Sequence, residues 1–159
     1  MPNAVKVPGI AIRTARREDV PAIVRLLADD ALGATREQPG EPLAQEYWDA
    51  WDAMVKQTGN EVLVADKGGE VVGCLQLTII PGLSRFGMTR GLIEGVRVGA
   101  HHRGKRIGEL LVHAAIERSR EQGCKMVQLT TDRTRGDAKR FYERLGFQST
   151  HLGMKLSLS

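Results

Sequence analysis

Apolar residues Ile107, Leu110, Leu111, Ala114 and Ala115 recur at helical spacing, while Glu109, His113, Glu117 and Arg120 take the other side. This pattern predicts an amphipathic helix over residues 105–122, with Gly123 placed for a left-handed C-terminal cap. The same spacing in Val20, Ile23, Val24 and Leu27 predicts a helix over residues 17–30. A further helix is expected over residues 43–57, and another over 134–145, where Ala138, Phe141, Tyr142 and Leu145 share a face and Gly146 supplies the stop. Between them, β-forming runs predict strands at residues 10–14, 61–66, 71–80, 91–98, 125–131 and 151–157, and Lys67, Gly68 and Gly69 read as a hairpin turn. The order is that of an α/β (α+β) layout on a mixed sheet, without internal repeats.

Residues 96–108, VRVGAHHRGKRIG, carry the most chemical information. Here an apolar strand passes through a basic, glycine-containing turn into a helix whose first N–H groups have no intrahelical partner, which makes the turn an anion socket. A P-loop needs a hydroxyl residue after Gly-Lys, but Gly104-Lys105 is followed by Arg106. The dinucleotide fingerprint needs three glycines, and this turn offers Gly104 and Gly108 alone. Arg103, Lys105 and Arg106 around exposed backbone donors suit a pyrophosphate that needs no metal.

At this point the chain resembles the GNAT superfamily of acetyl-CoA-dependent N-acetyltransferases. The turn is similar to that family's R/Q-x-x-G-x-G/A loop, with Arg103 first, Gly108 last, and Arg106 where the first motif glycine usually stands. A side chain there restricts φ and must point away from the pyrophosphate. Residues 129–147, LTTDRTRGDAKRFYERLGF, resemble the family's next motif, a strand followed by a helix ending in Phe-Tyr and Leu-Gly-Phe. Arg135 replaces the family's frequent Asn. Residues 9–30 have the look of the opening strand and helix, so the resemblance covers nearly the whole chain as one N-acetyltransferase domain, residues 1–159. It implies the GNAT fold, a central mixed, mostly antiparallel sheet flanked by about four helices.

The resemblance also implies roles. Acetyl-CoA would be held by Val96, Arg97, Val98, Arg103, Gly104, Lys105, Arg106, Ile107, Gly108, Arg135 and Phe141, the backbone of Val96 and Val98 pairing with the pantetheine arm as an added strand would. Tyr142 matches the family's general acid. A phenol of pKa ~10 can protonate a thiolate whose conjugate acid lies near ~8.5 only if well placed, and the competing reading is that Tyr142 simply packs. Glu94 is the candidate base for the amine; otherwise it is a solvated strand charge or an ion pair with Arg97.

Composition narrows the choice. Net charge is +4, but the basic residues gather at 103–106 and 133–140, and aromatics, at 4% of the chain, are too scarce for a nucleic-acid stacking platform. No apolar run is long enough to span a membrane, residues 1–8 show no leader core, and a cytoplasmic setting is expected. Cys74 and Cys124 lack ligand spacing, and His101, His102, His113 and His151 offer no chelating pattern, so neither a metal nor a disulfide is expected. Cys124 as an acyl-enzyme nucleophile lacks an evident base.

Three readings of function stay open. The first is acetylation of a small-molecule amine, supported by the acids Asp29, Asp30, Glu37, Glu41, Glu46, Asp49 and Asp52, which would attract a cation. The others are acetylation of a protein N-terminus or lysine, and a CoA-binding regulator without catalysis. Trp48, Trp51 and Tyr47 read either as core or as walls of the acceptor pocket. The close of the chain also resembles aminoalkylphosphonate acetyltransferases. An exposed final strand would let two copies pair as a homodimer.

Overall fold

The computed structural model describes residues 5–158; the first half of the 1–8 segment lies outside the described residues. Strand β1 (Ala11–Thr14) leads through a 3-10 turn (Arg17–Asp19) into helix α1 (Val20–Ala28). Helix α2 (Gln45–Lys56), strands β2 (Asn60–Lys67) and β3 (Glu70–Ile80), and a single turn α3 (Ser84–Gly87) follow. Strand β4 (Arg90–Val98), helix α4 (Ile107–Glu121), strand β5 (Met126–Leu129) and helix α5 (Gly136–Arg144) come next. The strands form one sheet in chain order, antiparallel throughout except for the parallel pair β4–β5.

Local chemistry explains the boundaries. The β2–β3 hairpin turns on Gly68 and Gly69, both at positive φ, as a two-residue primed turn requires. Asp19 fixes the entry to α1: its carboxylate accepts from Arg16 N–H at 2.7 Å and from both Arg13 Nη atoms at 2.7 and 3.0 Å. Helix α4 starts two residues later than its apolar pattern suggests because Arg106 sits in the left-handed region, φ 63°, and cannot belong to a right-handed helix. Gly123 ends α4 at φ 77°.

Two apolar layers cover the sheet. On one face Leu63, Leu75, Leu77 and Ile93 meet Ile107, Leu111, Val112 and Ala115 of α4, with Phe141 and Tyr142 of α5 and Leu145 at its end beside them. On the other, Val62, Val64 and Cys74 pack under Ile23 and Leu26 of α1, with Trp51 and Met54 of α2 alongside. Antiparallel partners share a face. Glu94 lies opposite Gln76 and Arg97 opposite Cys74, so the register shift in this ladder carries both Glu94 and Arg97 to the α1/α2 face. Strict alternation would have separated them. The extra residue is accommodated at Gly95, whose φ of 60° marks a bulge.

The strand expected at residues 151–157 does not form. Leu152, Met154, Leu156 and Leu158 keep an alternating pattern but are 80% to 93% exposed. Alternation makes a strand only where a neighbouring strand and an apolar layer receive it, and this segment has neither among the described residues.

Candidate active site

The basic turn, the bulged half of β4 and the start of α5 lie together: Gly108 faces Phe141 and Val98, and Arg97 and Arg135 meet at Asp30. Strands β4 and β5 pair from Arg90–Ile93 against Met126–Leu129 and no further. Beyond Ile93, β4 remains paired to β3 alone, leaving the β5-side backbone of residues 94–98 without a strand partner. An extended ligand can take that edge in the manner of an added strand.

At the end of β4 the turn presents its backbone. Among the described residues no acceptor engages the N–H groups from Gly104 to Gly108, while Leu110 N–H already binds Arg106 C=O. Gly104 holds φ 74° with open space where a Cβ would stand, and Gly108 faces the Phe141 ring, whose Cζ would lie 3.5 Å from a Cβ. Ile107 is buried and anchors the turn in the core. The three basic side chains point elsewhere. Arg106 donates to both oxygens of Glu109 at 2.8 Å, holding that carboxyl below its usual range. Arg103 donates to Asp29 C=O at 2.8 Å and Val98 C=O at 3.2 Å, and Lys105 to His101 C=O at 3.2 Å.

Tyr142 of α5 packs against the core on the α4 side of the sheet, its ring edge-on to Phe141 and Phe147 at centroid distances of 5.0 and 5.8 Å. No group among the described residues hydrogen-bonds its hydroxyl. Burial pushes its pKa up, and the nearby Arg97 and Arg135 guanidiniums pull the other way without cancelling the rise. The phenol is therefore protonated at neutral pH, and the same two cations favour the phenolate once the proton leaves.

Asp30, just beyond α1 and expected as one of seven acids that would attract a cationic amine, instead gathers Arg97 and Arg135. Its Oδ2 lies 3.1 Å from Arg97 Nε and 2.8 Å from Arg135 Nη2, and its Oδ1 accepts Gly33 N–H. Burial pushes this carboxyl up, but Gly33 and the two guanidiniums outweigh it and hold it below the usual range. The Arg97 approach is close but out of line for a hydrogen bond, so its buried Nε has no acceptor, while Nη1 donates to Val96 C=O at 2.9 Å. Arg97 is thus paired with Asp30, and Glu94 stands exposed on the same face.

Other expected residues find different work. Five of the seven acids between positions 29 and 52 are engaged internally: Asp29 by Ala100 and Arg103, Asp30 as above, Glu37 by Tyr47, Asp49 by Gln45 and Asp52 by Arg17. The attraction they were expected to offer a cationic amine is largely spent inside the fold. Tyr47 clasps the loop, donating to Glu37 and accepting from Gln38 N–H, both at 2.8 Å, and Trp51 packs into the core. Trp48 carries the Arg17 guanidinium 4.9 Å from its ring centre. Burial pushes the Cys74 thiol up to about 12 and raises Cys124 as well, the opposite of an activated nucleophile. A depression of about 690 Å³ between α1 and the β2–β3 hairpin, lined by Glu18, Arg25 and Glu70, includes neither Tyr142 nor the turn. Among the described residues no group of His, Cys, Asp or Glu could hold a metal, and no helix is long and apolar enough to cross a membrane.

An unpaired strand edge, a turn of unengaged backbone donors and a half-buried phenol on the neighbouring helix fit an acyltransferase. The chain belongs to the GNAT family of acetyltransferases, whose family model matches residues 21–147. It is 33% identical over 144 residues to the L-methionine sulfoximine/L-methionine sulfone acetyltransferase of Pseudomonas paraeruginosa, covering 87% of this chain and 80% of that one. To the aminoalkylphosphonate N-acetyltransferase of Salmonella typhimurium it is 32% identical over 107 residues, 67% of this chain and 69% of that one. A crystal structure of a Bacillus halodurans C-125 protein described as a transcriptional regulator superposes with a TM-score of 0.92 at 46% identity, covering 94% and 99% of the two chains.

Proposed function

We propose that this protein acetylates a primary amine of a small molecule by direct transfer from acetyl-CoA. The observation that carries the reading is the divergence of β4 from β5, which frees the strand edge of residues 94–98, with the donor-rich turn at its far end. The exposed N–H groups of Gly104 to Gly108 would receive the pyrophosphate, and the free edge of Val96 and Val98 the pantetheine arm. Acetyl-CoA supplies an activated thioester, whose C–S bond breaks as the amine nitrogen bonds to the carbonyl carbon. Glu94 removes the proton that the ammonium form of the amine must lose, directly or through water. Tyr142 donates its hydroxyl proton to the departing sulfur. The Arg97 and Arg135 guanidiniums steady the resulting phenolate until the second proton, lost by the nitrogen as the adduct collapses to the amide, returns to it directly or through water.

Two relatives whose names specify small-molecule acceptors favour that class over a protein acceptor. The free cysteines Cys74 and Cys124 agree with a cytoplasmic setting. The second reading, a regulator that binds CoA without catalysis, draws on the description of the Bacillus halodurans structure. The unengaged hydroxyl of Tyr142 speaks for chemistry instead. The test is thiol release from acetyl-CoA across a panel of small amines. Acetylation of at least one amine is expected, with kcat about 10² to 10⁴-fold lower in Tyr142→Phe and acetyl-CoA affinity preserved. Tight acetyl-CoA binding without turnover of any amine would favour the regulator, and full activity in Tyr142→Phe would return the residue to packing.

A further inference from the structure

We infer that, given acetyl transfer at this site, the acceptor is a zwitterion: its amine is accompanied by an oxyanion, a carboxylate or phosphonate, which Arg97 and Arg135 hold. This departs from the expectation that both arginines serve the cofactor.

The placement of charge is the first ground. Arg97 and Arg135 approach a single carboxylate oxygen of Asp30, and Asp132, the other acid that feels Arg135, feels Arg36 as well, so three cations face two carboxylates and one cation is left over. Asp29, the neighbouring acid, is taken up by Ala100 N–H and Arg103. Arg135 also occupies the N-terminal boundary of α5, where the helix dipole adds further positive potential.

The second ground is an unmet donor. Arg97 Nε is buried without a hydrogen-bond acceptor although Asp30 lies 3.1 Å away. A guanidinium presents its donors as a planar fork matched to two oxygens of one anion, and here only Nη1 has an aligned acceptor, in Val96 C=O. An oxyanion arriving at the fork would be received by Nη2, the arm with no acceptor among the described residues, and would draw the guanidinium into line with its partners.

The third ground is spacing. The Gly95 bulge brings Glu94 to the same face as Arg97, about 10 Å along the strand by ordinary strand rise, and Glu94 is exposed and not paired with Arg97. One free carboxylate at the transfer point and one surplus guanidinium a short distance away form the complement of an amine and an acid separated by a few bonds.

The experiment compares matched acceptors at saturating acetyl-CoA: an α-amino acid against its carboxamide, and an aminoalkylphosphonate against the corresponding amino alcohol. The acid members should have kcat/KM about 100-fold higher, the scale of a lost charge-assisted bidentate contact. In Arg135→Gln and in the charge-preserving Arg97→Lys, that ratio should fall below about 10-fold, with acetyl-CoA KM within about threefold of the parent. Equal turnover of acids and their neutral counterparts by the parent overturns the inference while leaving acetyl transfer intact. A raised acetyl-CoA KM with the acid preference retained assigns the arginines to the cofactor and overturns it too. Absence of turnover with every amine removes the acetyltransferase reading and this inference with it. Urea midpoints for both variants, expected to stay close to the parent, separate loss of recognition from loss of fold.

Discussion

Gly95 should tolerate substitution poorly, because its backbone conformation sets which residues face the acceptor. In Gly95→Ala a Cβ is added at φ 60°, where a side chain meets its own backbone at a cost of about 1–2 kcal/mol. Crowding adds little, since that Cβ would lie 3.4 Å from Leu27 Cδ2, an ordinary contact. With a urea m-value of about 1–3 kcal/mol/M, the unfolding midpoint should drop by about 0.3–2 M. Gly95→Asn supplies the internal control. Asparagine is bulkier but visits the left-handed region more readily, so strain predicts that Asn lies above Ala, whereas crowding predicts the reverse. The functional counterpart is a higher KM for the acceptor in Gly95→Ala, because a flattened bulge turns Arg97 away from Asp30. An unchanged midpoint and unchanged acceptor KM in Gly95→Ala would refute the account of the bulge.

Three further outcomes follow from the geometry. Gly104→Val has space for its side chain but not for its φ of 74°, so calorimetry should show acetyl-CoA affinity falling about tenfold or more as the turn backbone is displaced. Glu94→Gln should lower kcat/KM and change how it rises with pH; identical profiles in both forms would leave Glu94 as a plain strand charge. Asp19→Asn should cost about 1.5–3 kcal/mol at neutral pH, because it breaks charge-assisted bonds from Arg13 and one from Arg16 N–H. Arg13 holds the Asp19 carboxyl below its usual range, so this stability is present above the unfolded value near ~3.9 and is lost as pH falls through the folded one. Urea titrations of both forms should therefore converge in acid, and a gap that stays constant to low pH would locate the effect elsewhere.

Much of the architecture was legible because it is written in local periodicity. The stripe from Ile107 to Ala115, the Gly68-Gly69 turn and the stop at Gly146 each depend on neighbours a few residues away, and each appears in the structure close to where the pattern puts it. The turn at 103–108 was readable for the same reason. What escaped depends on distant partners. Asp30 looks like one more acid in an acidic stretch, and only the fold brings β4 and α5 to it. The bulge was signalled by a glycine inside a strand pattern, but alternation counted from Ile93 cannot show that the parity changes two residues later. The terminal alternation failed in the opposite sense, as a strand pattern with no strand to join. The basic side chains of the turn were read as ligands for an anion, whereas Arg106 is spent on Glu109 and Arg103 on Asp29.

That uncovered ending has a colloidal consequence. Leu152, Met154, Leu156 and Leu158 place four apolar groups in water along an extended segment, while the charge of the chain, +4 overall, gathers at the turn and around α5. Cohesion between molecules through this segment and repulsion through the basic regions answer to different solutes. Sulfate strengthens apolar association through its exclusion from protein surfaces and screens the repulsion at the same time. Salting-out should therefore begin at a lower sulfate concentration than for the chain ending at residue 150, and the choice of salt, more than pH, should govern how concentrated the protein can be kept in solution.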